Sequence, residues 1–169
     1  IRKILPGEAM VVRAGKIERK WIWYELPLFR GIHGELNIHN SVEGTINHLR
    51  QAVKRQMISD VPLGAFLSGG LDSSAIVTFA REQNPDIRCF TIEISGKQES
   101  GIVDGLPYAR KVAKHLDVSL EIVSINANQM AYDLESMVAQ LDEPLADPAP
   151  LNVLYISQLA REHGIKVLL

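Results

Sequence analysis

The chain has 169 residues, 46% of them hydrophobic and 22% charged, with a formal net charge of −2. That length and composition fit one globular domain with a real core and exclude a disordered or collagen-like chain. The near-zero charge leaves no electrostatic case for nucleic acid or an anionic membrane as partner, and no apolar run is long enough to span a bilayer.

A single cysteine, Cys89, excludes an internal disulfide and makes a reducing cytoplasm the expected compartment. No initiating methionine stands at the start, and Ile165–Leu169 reads as a strand cut at its end. The expectation is therefore a piece of a longer protein.

Taken in order, Ala9–Arg13 and Ile17–Trp23 read as two β runs around the Ala14-Gly15-Lys16 turn, hence a hairpin. A lone hairpin is marginal in water, so Trp21, Trp23 and Tyr24 are expected to serve packing. Leu26–Asn40, interrupted by Pro27, Gly31 and Gly34, reads as a linker. Asn40 and Glu43 have capping-box spacing. Val42, Ile46, Leu49, Val53 and Met57 then recur at helical spacing. His39 and His48 sit among polar residues and read as solvated rather than metal-bound.

The stretch Pro62–Ile76 is a short apolar run, a Ser-Gly-Gly turn and a helix opened by Asp-Ser-Ser. Such a junction is an anion site in outline. Glycines permit close backbone approach, and the first helical turn offers unpartnered N–H groups and the positive end of the dipole. Ser68, Ser73 and Ser74 add hydroxyls. Asp72 would repel phosphates unless a divalent cation lies between them, and carboxylate plus phosphate oxygens suit Mg2+. No G-x-x-x-x-G-K-[ST] or G-x-G-x-x-G motif competes with this reading. A ligand-free strand–turn–helix junction is the plain alternative.

Further strands are expected at 88–94, 119–125 and 165–169. Helices are expected over 75–83, 108–116, the stretch marked by Met130, Leu134, Met137, Val138 and Leu141, and 151–162. Gly96–Gly105 reads as a loop. Pro144, Pro148 and Pro150 mark an extended segment. Strands alternating with amphipathic helices give the fold class: α/β, a parallel sheet with helices on both faces, and ligands at its C-terminal edge. Three carboxylates, Asp142, Glu143 and Asp147, fall within six positions and are locked by two prolines, Pro144 and Pro148. The alternative for that segment is helix termination and a solvated acidic loop.

Ser68-Gly69-Gly70-Leu71-Asp72-Ser73-Ser74 resembles the pyrophosphate loop of the N-type ATP pyrophosphatases. With Pro62–Leu67 before it and Asp142-Glu143-Pro144-Leu145-Ala146-Asp147-Pro148 after it, the chain resembles the glutamine-hydrolysing asparagine synthetases. The resemblance implies an adenine nucleotide alpha hydrolase-like fold, truncated, with an N-terminal hairpin remnant. Residues 1–30 would end a glutaminase domain, and 31–169 would begin an ATP-dependent synthetase domain.

By the same resemblance ATP and Mg2+ are the cofactors. Leu67, Ser68, Gly69, Gly70, Leu71, Asp72, Ser73, Ser74 and Ile92 would bind nucleotide, with Leu67 and Ile92 flanking adenine. Asp72 and Asp147 would hold the metal, and Glu143 would support the aspartyl-adenylate. Substrates would be ATP, aspartate and glutamine-derived ammonia. Uncovered apolar surface where missing parts dock leaves room for a homodimer.

The chain also departs from the family pattern. Ala149-Pro150-Leu151-Asn152 stands where many relatives have Ser and a Pro-Thr pair, which leaves the acceptor open. The second glycine-rich loop, the catalytic lysine and the N-terminal nucleophilic cysteine are absent, and mid-strand Cys89 is not that nucleophile. Three rival readings stay open. They are an amidotransferase acting on a sugar acid or β-lactam precursor, a non-catalytic adenine-nucleotide module, and a sulfur- or ammonia-transfer relative.

Overall fold

The computed structural model describes residues 3–26, 37–96, 104–143, 145–147 and 149–169. The linker positions Pro27, Gly31 and Gly34, the interior of the 96–105 loop, Pro144 and Pro148 lie outside the described residues. The chain divides into two compact units, residues 1–41 and 42–169.

The first unit carries the expected hairpin. Strands β1 (Glu8–Arg13) and β2 (Lys16–Ile22) pair antiparallel. Ala14 and Gly15 join them with φ of 47° and 75°. Two positive φ values twist a two-residue turn the way the strands twist. A register shift between Val11 and Val12 bulges the ladder. The aromatic exit departs from expectation: Trp23 is 68% exposed and Tyr24 50%, their rings 5.7 Å apart. A two-stranded ribbon has too little surface to bury such side chains.

The second unit holds a four-stranded parallel sheet ordered β5-β4-β3-β6, where β3 is Leu63–Phe66, β4 Arg88–Ser95, β5 Ser119–Asn126 and β6 Val167–Leu168. Helices α2 (Leu71–Gln83) and α3 (Leu106–Leu116) cover one face together with the C-terminal half of α1 (Ile38–Gln56). Val53, Val77, Ala80, Ala109 and Ala113 bury Ala65, Leu67 and Cys89 there. Helices α4 (Ala127–Val138) and α5 (Ala149–Glu162) cover the other face. There Ile156 and Ala160 pack on Phe90, and Met137, Leu151 and Tyr155 pack near Ile92, Val123 and Ile125. The alternation Ala65/Phe66 and Cys89/Phe90 between the two cores is the period-two pattern of a strand buried on both sides.

Helix boundaries correct several sequence expectations, among them that of α3, which starts at Leu106 rather than Tyr108. Helix α1 starts before Asn40: the Asn37 side chain accepts the Asn40 N–H at 3.2 Å, so Asn37 takes the capping role. Leu141 lies beyond the end of α4. Helix α5 starts at Ala149, not Leu151, and takes in Pro150. Proline fits the first turn, where its missing N–H would have no partner in any case. Among the described residues no helix is long and apolar enough to cross a membrane.

Strand order places the crevice. The chain steps outward from β3 to β4 to β5, then returns to the opposite side of β3. Such a switch point opens a crevice beyond the C-terminal ends of β3 and β6, the neighbours between which the direction reverses. Residues 68–70 leave β3 at that point.

Candidate functional site

The loop after β3 is shaped by one glycine and tied by serines. Gly69 has φ +81°. A Cβ there would fall 2.4 Å from the Ala109 nitrogen and 2.7 Å from both the Gly105 oxygen and Tyr108 Cβ. Glycine is therefore required at 69 by the chain itself. Gly70 is different. Its φ of −72° suits any residue, and a Cβ would meet only the Ser68 hydroxyl, at 3.4 Å. Nothing inside the protein demands glycine at 70, which leaves its surface open to close approach from outside.

The serine hydroxyls hold the loop. Ser68 and Ser73 Oγ atoms are 2.9 Å apart, the Ser68 N–H donates to Ser73 Oγ at 3.3 Å, and the Gly70 N–H donates to Ser68 Oγ at 3.3 Å. Ser74 donates its hydroxyl to the Gly70 carbonyl at 2.6 Å. Thus Ser74, expected at the mouth, spends its donor on the loop itself. Gly70 caps α2 without a side-chain hydrogen bond, and Asp72 stands in the first turn. The uncapped first turn leaves backbone donors and the positive dipole end facing the crevice. Leu71 is 85% exposed beside them, an apolar side chain left in the open.

Sequence reasoning missed the second wall of this loop. The N-terminus of α3 packs against it: a Cβ on Gly105 would fall 2.5 Å from the Ser68 carbonyl oxygen. Asp104 sets that end by accepting the Leu106 N–H at 3.0 Å. The Asp104-Gly105 pair ahead of Leu106-Pro107 was the available signal.

Leu67 and Ile92 are placed on opposite faces. Leu67 is fully buried under α2 and α3, and its N–H donates to the Phe90 carbonyl at 2.9 Å. Ile92 packs toward α4 and α5. They flank the end of β3 through backbone, and their side chains serve two separate cores.

The acidic segment reaches the same sheet edge by topology. Helix α5 runs antiparallel to the strands: Arg88 at the start of β4 donates to the His163 carbonyl, just past the C-terminus of α5, at 3.2 Å. Fourteen helical residues span about 21 Å, which carries the N-terminus of α5 to the C-terminal edge. Asp147 stands there, exposed, with Oδ1 accepting the Ala149 N–H at 2.8 Å. Asp142, Glu143 and Asp147 line a cavity of 510 Å³ whose other walls are apolar, among them Leu134, Met137, Leu141 and Leu151.

Among the described residues no group of three or more His, Cys, Asp or Glu side chains is placed to hold a metal. Asp72 is exposed with hard oxygen donors, and Asp147 keeps Oδ2 outside its bond to Ala149. Exposed carboxylate oxygens are the hard donors that a cation such as Mg2+ takes alongside phosphate and water.

Comparison with known proteins bears on this edge. A family model described as asparagine synthase matches residues 45–169. The glutamine-hydrolyzing asparagine synthetase 1 of Bacillus subtilis (strain 168) is 30% identical over 164 residues, covering 96% of this chain and 25% of that protein. Amidase chyE of Penicillium rubens is 27% identical over 187 positions, covering 100% of this chain and 27% of that protein. The chain thus spans about a quarter of the length of these curated relatives. Among solved structures, the U34-tRNA thiolase NcsA of Methanococcus maripaludis with its 4Fe-4S cluster superposes with a TM-score of 0.51 at 18% identity, over 80% of this chain and 46% of that one. That likeness speaks to the fold alone. Fold, loop and family match agree: the chain belongs to the asparagine synthase family.

Proposed function

We propose that this chain is the nucleotide-binding part of an ATP-dependent ligase that converts aspartate to asparagine through an aspartyl-adenylate. The observation that carries the reading is the loop at 68–74, where Gly70 is bare without internal need and the first turn of α2 is uncapped. Backbone N–H groups there receive the β- and γ-phosphates of ATP. They stabilise the charge that builds on pyrophosphate as the aspartate carboxylate attacks the α-phosphorus. Asp72 and Asp147 hold Mg2+, which neutralises the phosphates. Glu143 takes a proton from ammonia as its nitrogen attacks the acyl carbon and AMP leaves. The ammonia comes from glutamine, hydrolysed by a domain of which residues 1–30 are the end; residues 31–169 begin the synthetase domain. The enzyme works in the cytoplasm, as a homodimer.

The chain alone binds magnesium ATP weakly and turns over nothing. Titration calorimetry with magnesium ATP tests the first half, and asparagine analysis after incubation with aspartate and ammonia tests the second. Absence of heat contradicts the site, and asparagine formation contradicts the incompleteness.

A second reading is amidation of another carboxylic acid. Amidase chyE aligns with the whole chain, hairpin included. Pyrophosphate release by the full polypeptide that carries this segment, measured against a panel of acids, separates the two.

A further inference from the structure

The loop at 62–76 contains amides, hydroxyls and one carboxylate, but no cation. A bound pyrophosphate group carries several negative charges, and one divalent metal leaves part of them unbalanced. The neighbouring α3 supplies the missing charge. Tyr108 sits where its Cβ would be 2.7 Å from a Cβ on Gly69, so its base abuts the loop, yet the residue is 53% exposed. Lys111, one turn on, places its ammonium 5.5 Å from the Tyr108 ring centroid. Among the described residues Lys111 makes no ion pair. Helical side chains lean toward the N-terminus, and the N-terminus of α3 is the end that touches Ser68 and Gly69. The ring therefore holds a lysine on the first turns of α3, the end that abuts the loop, with no ion pair among the described residues.

We propose that Lys111, steadied over Tyr108, is a phosphate-binding residue of this site and contacts the outer phosphate of the nucleotide or the released pyrophosphate. The proposal rests on the reading of the 68–74 loop as a phosphate site. Tyr108 acts through Lys111: an ammonium over an aromatic face is attracted to the ring, which narrows the volume that a flexible lysine explores.

The test is calorimetric titration of the chain with magnesium pyrophosphate, for the unaltered protein, Lys111→Gln, Lys111→Arg and Tyr108→Leu. Lys111→Gln is expected to weaken binding about tenfold, the loss of one charge-assisted contact. Lys111→Arg is expected to stay within about threefold, since the charge remains. Tyr108→Leu is expected to fall between them. In about 1 M salt the gap between the unaltered protein and Lys111→Gln shrinks, because screening removes the term that distinguishes them. Lys111 is exposed, so urea midpoints of its variants stay unchanged. Binding that Lys111→Gln retains within about twofold overturns the role of Lys111 while leaving the loop reading intact. No binding by the unaltered protein overturns both.

Discussion

Gly69 is pressed against the backbone of Ala109, so closely that a methyl group on Gly69 would lie 2.4 Å from the Ala109 nitrogen. This contact fixes the loop to α3 before any ligand arrives. It also divides the paired glycines by role. Gly69→Ala adds a clash with backbone to a left-handed φ, and is expected to destabilise the chain by about 2–4 kcal/mol in urea unfolding. Gly70→Ala meets neither obstacle. Its unfolding midpoint is expected to move by less than about 1 kcal/mol, while magnesium ATP binding drops, because the methyl group occupies the approach surface.

Asp147 holds two roles that one pair of variants separates. Its Oδ1 accepts the Ala149 N–H at the start of α5. Asp147→Asn keeps that acceptor and loses the charge, so stability holds and magnesium-dependent binding falls. Asp147→Ala loses both and is expected to cost about 1 kcal/mol of stability as well. Denaturation curves and titrations on the two proteins check the split.

Tyr155 joins the two helices of one face. Its hydroxyl donates to Asp133 at 2.8 Å, and burial followed by that carboxylate pushes its pKa up to about 12. A tyrosine in the unfolded chain titrates near 10. The folded state therefore keeps the proton longer. The stability this contributes is whole below about pH 10 and is lost as pH rises toward about 12. Asp133 is held below the usual carboxylate range by the Gln129 side chain and then by Tyr155. Its contribution is present above the unfolded carboxylate value and is lost as pH falls through the folded one. Tyr155→Phe is expected to be less stable near neutrality and to show a flatter stability profile between about pH 10 and 12, read from unfolding midpoints against pH.

Cys89 is fully buried in β4, and burial pushes its thiol up to about 11. A thiol so placed is both shielded and protonated. It is expected to resist iodoacetamide in the folded chain and to react fully in denaturant, with labelling followed by mass spectrometry.

The central strand, the loop and α2 were legible in the sequence because the signals there are local. An apolar run, two glycines and a helical period each act within a few residues. The same holds for the hairpin, whose turn residues Ala14 and Gly15 carry the positive φ values. What local signals could not supply was contact at a distance. Gly105, Tyr108 and Ala109 lie more than thirty positions from Ser68 and Gly69, and no periodicity couples them. Capping was misplaced at Asn40 because Asn37 offers the same side chain three residues earlier, and spacing alone does not choose between them. Proline reads as a breaker, yet Pro150 falls in the one helical turn that tolerates it, so α5 begins earlier than its apolar pattern suggests. The acidic segment was legible as three closely spaced carboxylates, and those three line one cavity. That Asp147 also caps α5 was not, since the helix start itself was displaced.

The account stands on Asp72 and Asp147 sharing one cation over the phosphates at the sheet's open edge. A double-mutant cycle tests it: magnesium pyrophosphate affinity of the unaltered chain, Asp72→Asn, Asp147→Asn and the double variant. Each single change is expected to weaken binding about tenfold or more, and the double variant should be little weaker than either, since one metal is lost in every case. Losses that simply add, or affinity indifferent to both carboxylates, would show that the two acids do not meet at a common ion.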